Sequence, residues 1–543
     1  MEPPRSRTLG DLLDEMARRY PDGEAVVFER ERLTYREYRE RVRRLARGLH
    51  QLGVRRGDKV ALLMGNRTEW LLVDFAVALL GATLVPVSTW STARELEYVL
   101  RHADATTLVT VDRFRGQDYL GMLAAIGPGS ERLPLLRHVV CLGGERRPGI
   151  TPFPELWELG ARGPEAMVDA AQRAVAPTDI AYILYTSGTT STPKGVQLHH
   201  RGLIENMFNI GERQHLGPAD RLWLGVSLFW GFGCENAILA VMTHGGCVVL
   251  QEAFEPGATL ALIERERCTV YYGTPNIALA LWEHPDRPHR DLGSLRTGAA
   301  IGHPPAIQMV MDLGAREICN VYGLTECYGN CTLTDAHDPV ETRLSTIGRP
   351  LPGFEIKIAD PITHRPLPPG EIGEITLRGY ITPGYYKDPE KNAAAFDADG
   401  FFLTGDLGWF DADGRLRFHG RIKDVVKTGG LNVSPVEVEQ ILLGHPAVEQ
   451  AYVIGVPDPR KEEALAAVVV LKEGASASAD ELRAFCRQAL AAFKVPQHIS
   501  FVPREALPLT ASGKVQKHRL RESLAAELEG VAADRRVSAE RHG

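Results

Sequence analysis

YTSGTTSTPKGV, running from Tyr185 to Val196, is the stretch on which the reading of this chain turns. An apolar, β-branched run, Ile180 to Tyr185, leads into it and predicts a buried strand of a parallel sheet. The chain then turns polar: hydroxyl residues, two glycines, a proline and a lysine make a loop whose N–H and hydroxyl groups can converge on an anion. A polyphosphate is the natural guest. The stretch is not a Walker A loop, because Pro193 replaces the second glycine and Gly195 stands where the metal-binding hydroxyl would be. Its hydroxyls come before the lysine, at Thr186, Ser187, Thr189, Thr190 and Thr192. An ordinary Ser/Thr/Gly-rich surface connection is the plain alternative.

With 543 residues the chain exceeds one compact core and predicts several structural units. A hydrophobic share of 44% against 24% charged is that of a globular protein, and a net charge of −7 favours neither nucleic acid nor an anionic membrane. Eight cysteines without paired spacing suggest reduced thiols and a cytoplasmic enzyme. Cys327 and Cys331 lack a second ligand pair and read as core or pocket lining rather than a zinc site. The N-terminal MEPPRSRTLGDLLDEMARRYPD reads as a short amphipathic helix with no signal-peptide core. The longest apolar run, Trp70 to Val85, falls short of the roughly 20 residues of a membrane span and reads as a packed helix entering a strand.

From Lys59 to Val87, and again through Glu95 to Arg101 and TTLVTV, strand-like runs alternate with helical ones, the grammar of a parallel sheet. Gly143 to Arg173, rich in Gly, Pro and charge, reads as a linker separating this first unit from the one holding the phosphate loop. A second series places strands at Leu222–Val226, Cys247–Leu250, Thr269–Tyr272 and Ile318–Val321. After Gly348 shorter strands such as FEIKIAD and GEIGEITLRG predict a small β-rich unit. GRIKDVV marks a boundary before a smaller α+β domain, where Ser434, Pro435 and Glu437, and again Ser478 and Glu481, predict capping boxes. The fold expected is α/β: a large multi-subdomain N-terminal domain with parallel sheets over 1–420, a smaller mobile α+β domain over 424–525, and a flexible tail over 526–543 that frays from about Leu524.

On these motifs, in this order, the chain resembles the adenylate-forming superfamily of acyl-CoA synthetases, firefly luciferase and nonribosomal peptide adenylation domains, and is most similar to the acyl-CoA ligases. YTSGTTSTPKGV looks like its phosphate-binding loop, with Thr186, Ser187, Gly188, Thr189, Thr190 and Lys194 implied to hold nucleotide. Ser191 departs from the family's glycine, at a cost of roughly 1–2 kcal/mol if that position needs a positive φ. NVYGLTE, Asn320 to Glu326, is similar to the nucleotide segment, with Asn320, Tyr322 and Gly323 implied to bind nucleotide: Tyr322 lies against the adenine, Thr325 contacts phosphate, and Glu326 with Thr189 holds Mg²⁺. A flat aromatic, a hydroxyl and a hard carboxylate are what those three partners require. Gly298, Ala299 and Ala300 match a small-residue turn that lets backbone approach the adenine. Asp406 and Arg421 match the ribose contacts. Lys514, in PLTASGKV, looks like the lysine that the small domain brings to adenylation, although the nearby Lys517, His518 and Arg519 also suit a solvated basic face. Lys423 matches the hinge, and Lys427, Gly429 and Gly430 the loop facing the site during thioester formation, where a tight turn before the Ser434 helix reads equally well.

The resemblance implies an ATP- and Mg²⁺-dependent carboxylic acid–CoA ligase. The carboxylate attacks the α-phosphorus of ATP, pyrophosphate leaves, and the acyl-adenylate then passes to the thiol of CoA. Its acyl pocket is implied to draw on Phe229, Trp230, Gly231 and Asn236, on Gly273 and Thr274, and on Leu324 and Cys327. Trp230 stands where amino-acid-activating members carry an aspartate and many acyl- and aryl-CoA ligases a histidine, so an acid without an α-amino group is expected, with Glu235 nearby as the exception. An adenylating enzyme that serves a carrier protein, an amine or nitrite is the alternative, and a non-catalytic relative is a third, opposed by the intact Lys514, Glu326, Asp406 and Arg421. A homodimer or a carrier-protein partner stays open.

Overall fold

The computed structural model describes residues 1–143, 147–186, 193–428, 431–458, 462–510 and 514–540. The chain divides into two compact units, Met1–Ile356 with Leu377–Phe402 and Gly414–Leu416, and Lys357–Thr376 with Leu403–Asp413 and Arg417–Gly543.

Two sheets organise the first unit. In the larger, the strands Cys319–Tyr322, Thr297–Ala300, Val270–Gly273, Arg221–Leu224, Cys247–Leu250 and Glu24–Phe28 lie side by side in parallel. Antiparallel strands finish both edges. These central strands are covered on both faces, so they are short apolar runs rather than alternating ones. The second sheet runs Lys194–His199, Ile180–Thr186, Thr83–Pro86, Lys59–Leu63, Ala105–Val111, His138–Leu142, Ile150–Pro152. The Thr68–Leu79 helix is buried along its whole length, with Trp70 and Phe75 at 0% exposure, as its all-round apolar sequence demands.

Two sequence expectations are corrected here. The Gly143–Arg173 stretch is not a linker: it adds the Ile150–Pro152 strand to the second sheet and forms the Phe153–Arg162 and Glu165–Ala174 helices. Its Gly160 has a packing role, since a Cβ there would run into the carbonyl of Arg44 on the Tyr35–Leu52 helix. Nor does the phosphate-loop strand open a separate unit. Ile180–Thr186 pairs in parallel with Thr83–Pro86, which puts it in the sheet begun by Lys59–Leu63. Its other neighbour, Lys194–His199, is antiparallel.

In the second unit, four strands, Glu355–Ala359, Gly373–Arg378, Phe402–Phe410 and Leu416–Arg421, form one sheet in that order. A further sheet is built on the long Val448–Asp458 and Glu462–Leu471 hairpin, with Val453, Val469, Leu482 and Cys486 in its core. Ser478 and Glu481 make the expected capping box. Ser434 does not. It precedes the Pro435–Leu443 helix without capping it, because its hydroxyl is bonded to the His419 carbonyl and Glu437 is held by Lys494 at 2.6 Å. The stretch read as a tail from Leu524 lies within one helix, Lys517–Glu540. Among the described residues no helix is long and apolar enough to cross a membrane.

Candidate active site

Adjacent parallel strands of the large sheet end at Leu224, Gly273, Ala300 and Tyr322. In open α/β sheets ligands bind beyond the carboxyl ends of such strands. The segments leaving these ends are the ones singled out from sequence: Phe229–Asn236, Thr274, Ala300 and Leu324–Cys327. Gly298, Ala299 and Ala300 are corrected from a turn to a strand, Thr297–Ala300, all buried. Gly298 has φ +130°, and a Cβ there would strike the carbonyl of Tyr271 on the next strand. Its glycine answers a neighbouring strand, and only the end of the run, at Ala300, opens on the site.

Asn320 is pinned through its backbone N–H to Thr334 Oγ1 at 2.9 Å and through Nδ2 to the Thr346 carbonyl at 3.1 Å. Gly323 lies so close to the Gly329–Asn330 backbone that no Cβ would fit. Thr325–Cys327 is one turn of 3₁₀-helix, tightened by the thiol of Cys327 on the Leu324 carbonyl at 3.2 Å. That turn delivers Glu326, 5% exposed, to the centre of the site. Its Oε1 accepts from Lys194 Nζ at 2.7 Å and from the Tyr385 hydroxyl at 2.9 Å, and Lys194 Nζ also reaches that hydroxyl at 2.9 Å. The ammonium lies 4.3 Å from the centre of the Tyr385 ring.

Lys194 sits opposite Thr186 in the antiparallel ladder. The Thr186 hydroxyl is buried and has no partner among the described residues, an orphaned donor that a phosphate oxygen would satisfy. Ser187, Gly188, Thr189, Thr190 and Ser191 lie outside the described residues. The flanks of their loop are fixed: Tyr185 OH meets His102 Nδ1 at 2.7 Å, and Tyr98 OH donates to the Pro193 carbonyl at 3.0 Å. Burial raises the Tyr185 phenol and lowers the His102 imidazole, so both are neutral. A hard cation prefers carboxylate and phosphate oxygens. Glu326 fits, since both donors it meets among the described residues fall on Oε1.

Sequence reasoning missed Tyr385. Its position follows from a bridge to Val196 and from Tyr386 N–H on the Gly195 carbonyl at 2.8 Å, which lay the Gly384–Tyr386 segment along the Lys194–His199 strand. The run PGYYKD was the available signal. Trp90 was missed too, and packs edge-on to Phe229 at 4.9 Å and tilted against Trp230 at 5.4 Å. Asn236, expected in the acyl pocket, bonds Asn330 through its amide and accepts from Tyr272 at 3.2 Å. Away from the site, His215, Asp335 and His337 bring ligand-type atoms within 4.8 Å, with Asp335 Oδ1 engaged by His215 and by the His337 N–H.

Within the second unit, Asp406 on the Phe402–Phe410 strand is 3% exposed and pairs with Arg421 Nε at 3.2 Å, at the end of the adjacent strand. Lys514 joins them. Its ammonium is held below the ordinary lysine value, first by desolvation and then by the like charge of Arg421, with Asp406 opposing. The residue nonetheless keeps an open face to water, and its backbone is pinned to Thr510 through bonds of 3.0 and 2.7 Å. Lys423 lies in a 3₁₀ turn, Ile422–Asp424, and Lys427 is exposed with its N–H on Glu463 at 2.9 Å. Gly429 and Gly430 lie outside the described residues.

Residues 13–386 match the family described as AMP-binding enzyme, and residues 437–514 the AMP-binding enzyme C-terminal domain. The chain is 35% identical over 543 residues to the acyl-CoA ligase sidI of Aspergillus fumigatus, covering 96% of this chain and 92% of that protein. It is 34% identical over 543 residues to the mitochondrial medium-chain acyl-CoA ligase ACSF2 of Danio rerio, covering 96% and 89%. The crystal structure of the anthranilate CoA ligase AuaEII in complex with anthranoyl-AMP superimposes with a TM-score of 0.85 at 29% identity, over 96% of this chain and 98% of that one. The chain belongs to the AMP-binding enzyme family, the adenylate-forming enzymes. Within it the protein is an AMP-forming acid–thiol ligase, with ATP, Mg²⁺ and CoA as its reaction partners.

Proposed function

We propose that the cradle of Thr186, Lys194, Glu326 and Tyr385 receives the phosphates of ATP, and that Asp406, Arg421 and Lys514 serve the ribose and the reacting phosphorus. The observation that carries this reading is the meeting of Lys194 and Tyr385 on one carboxylate oxygen beside an unpartnered buried hydroxyl. A carboxylate alone is a poor acyl donor, because oxide would have to leave. Attack by its oxygen on the α-phosphorus makes a mixed anhydride as pyrophosphate departs, and AMP is a good leaving group when the CoA thiol attacks the acyl carbon. Negative charge grows on the phosphate oxygens during the first step. Fixed donors in a dry site stabilise it, each contributing on the order of 10²–10³ in rate. Lys194 and the Thr186 hydroxyl bind those oxygens, and Tyr385 fixes the carboxylate beside them. Mg²⁺, held through Glu326, withdraws charge from the same oxygens when bound. Asp406 accepts from the ribose hydroxyls, and Lys514 supplies a positive charge at the phosphorus. Lys423 is the pivot at which the second unit turns between half-reactions, and Lys427 with Gly429 and Gly430 then faces the thioester step.

Trp90, Phe229 and Trp230 supply an aromatic wall with no cation-binding carboxylate at position 230, which suits acids without an α-ammonium group. Eight free, buried cysteines suit a reducing, cytoplasmic setting. The test supplies purified protein with ATP, Mg²⁺, CoA and a panel of aliphatic, alicyclic and aromatic acids. Pyrophosphate release together with an acyl-CoA product by mass spectrometry is expected. Failure to release pyrophosphate with any acid in the panel overturns the reading.

A further inference from the structure

Beside the acyl side of this site stands a carboxyl group that the fold does not use. Phe232–Ala237 is a turn of π-helix, a rare wide turn that recurs at functional sites. Among the polar side chains of that turn, Asn236 is satisfied by Asn330 and Tyr272, but Glu235 is not: it is 1% exposed, and its Oε2 is buried with no partner among the described residues. Ionising an unpaired buried carboxyl costs several kcal/mol, so the group stays protonated. Desolvation raises its pKa well above the carboxylate range, and the charge of Glu326 acts in the same direction. A protonated carboxyl is a hydrogen-bond donor.

Its way out is through Gly231. That residue is half-buried, next to Trp230, and a Cβ there would come within 2.8 Å of Glu235 Oε1. Phe229 and Trp230 pack against each other on the preceding residues, and Tyr272 closes on Phe232 at 5.1 Å. Between Trp230 and Phe232, Gly231 leaves a gap in the row of aromatic side chains, with the Glu235 carboxyl beside it. An orphaned buried donor is a standing cost that a correctly placed acceptor removes.

We propose that Gly231 and Glu235 form a polar subsite in the acyl pocket, at which the Glu235 carboxyl donates a hydrogen bond to a hydroxyl or keto oxygen carried on the carbon skeleton of the acid. The substrate class is thus an oxygenated carboxylic acid rather than a plain hydrocarbon acid. This assignment rests on the ligase reading and deepens it. It also accounts for a glycine at 231, since any side chain there would close the gap.

The experiment measures kcat/KM for adenylation, by pyrophosphate release, on chain-matched unsubstituted, hydroxy, oxo and amino acids. The full-length protein is compared with Glu235→Gln, Glu235→Leu and Gly231→Ala. A site built around a hydrogen bond discriminates against the analogue lacking it. The unaltered protein should prefer the hydroxy or oxo acid by about 10- to 100-fold. Glu235→Leu and Gly231→Ala should erase that preference, bringing kcat/KM for the hydroxy and oxo acids down to that for the unsubstituted acid, and Glu235→Gln, which is of equal size and still a donor, should retain most of it. An unchanged preference in Glu235→Leu, or a preference for the amino acid in the unaltered protein, overturns the subsite while leaving the ligase reading intact. Failure to release pyrophosphate with any of these acids strikes the ligase reading, and the subsite falls with it.

Discussion

Glu326 in the first unit and Asp406 in the second are carboxylates of nearly equal burial, at 5% and 3% exposure. Their partners differ. Glu326 receives an ammonium and a phenol from segments that are themselves bonded together through Val196–Tyr385 and Gly195–Tyr386. Asp406 pairs with Arg421, whose side chain is 48% exposed, and Lys514 beside them opens to water. The first arrangement is cross-linked before substrate arrives, while in the second the cations keep water on one side. A group that must act in one step and withdraw in the next belongs in the second kind of setting, and a phosphate cradle in the first.

The sharpest way to break this contrast is Lys514→Ala. Pyrophosphate formation should fall by about 10²- to 10³-fold, while AMP release from supplied acyl-adenylate and CoA is largely spared. Equal losses in both steps would count against a lysine that serves one half-reaction. Next is Glu326→Gln beside Asp406→Asn. We expect a loss of about 10²-fold in adenylation for the former together with a lower melting temperature, because the Lys194 ammonium loses its counter-charge. Asp406→Asn should raise the KM for ATP with little change in melting temperature, since Arg421 is half in water. Matching thermal shifts would erase the distinction.

Tyr385→Phe removes one bridge and leaves the Lys194–Glu326 pair. A loss of about tenfold in kcat/KM, from one hydrogen bond to a charged group, is the expected outcome, read at saturating and limiting ATP. A last test, outside the site, concerns a carboxyl with no cation partner among the described residues. Asp74 is buried on the Thr68–Leu79 helix, accepts from Tyr182 OH at 2.9 Å, and has its pKa pushed up to about 8 by burial. The native state holds its proton above the pH at which the unfolded chain releases it, near 4. Its contribution is therefore complete below about pH 4 and is lost as pH rises towards 8. Asp74→Asn keeps an acceptor for Tyr182 without the ionisation, so its urea midpoint should gain on that of the unaltered protein between pH 5 and pH 8. A constant difference across that range would show that Asp74 does not titrate there.

Strands with an unbroken apolar run were legible in the sequence: Cys247–Leu250 was expected at those residues, and Lys59–Leu63 and Thr83–Pro86 around the helix between them. Sheet membership was not legible. Parallel pairing of Ile180–Thr186 with Thr83–Pro86 joins residues about a hundred positions apart, and no local pattern reports it. The Gly143–Arg173 stretch misled because its glycines serve close packing between helices as well as turns. At Ser434 the cap motif lost to a competing tertiary acceptor, His419. Lys194, Glu326, Asp406, Arg421 and Lys514 were singled out because the motifs around them resemble the family's; in isolation a lone surface charge carries no such signal. Tyr385 and Trp90 were not, because a lone aromatic most often means core.

The shared Oε1 of Glu326 has one more consequence. With one ammonium cancelling one carboxylate, the resting cradle is close to electroneutral among its described residues. Bare triphosphate would meet, among the described residues of this cradle, an ammonium that the Glu326 carboxylate already engages. If the nucleotide enters with a bound Mg²⁺, Glu326 would hold that ion, and Lys194 would then be free to turn to the phosphates.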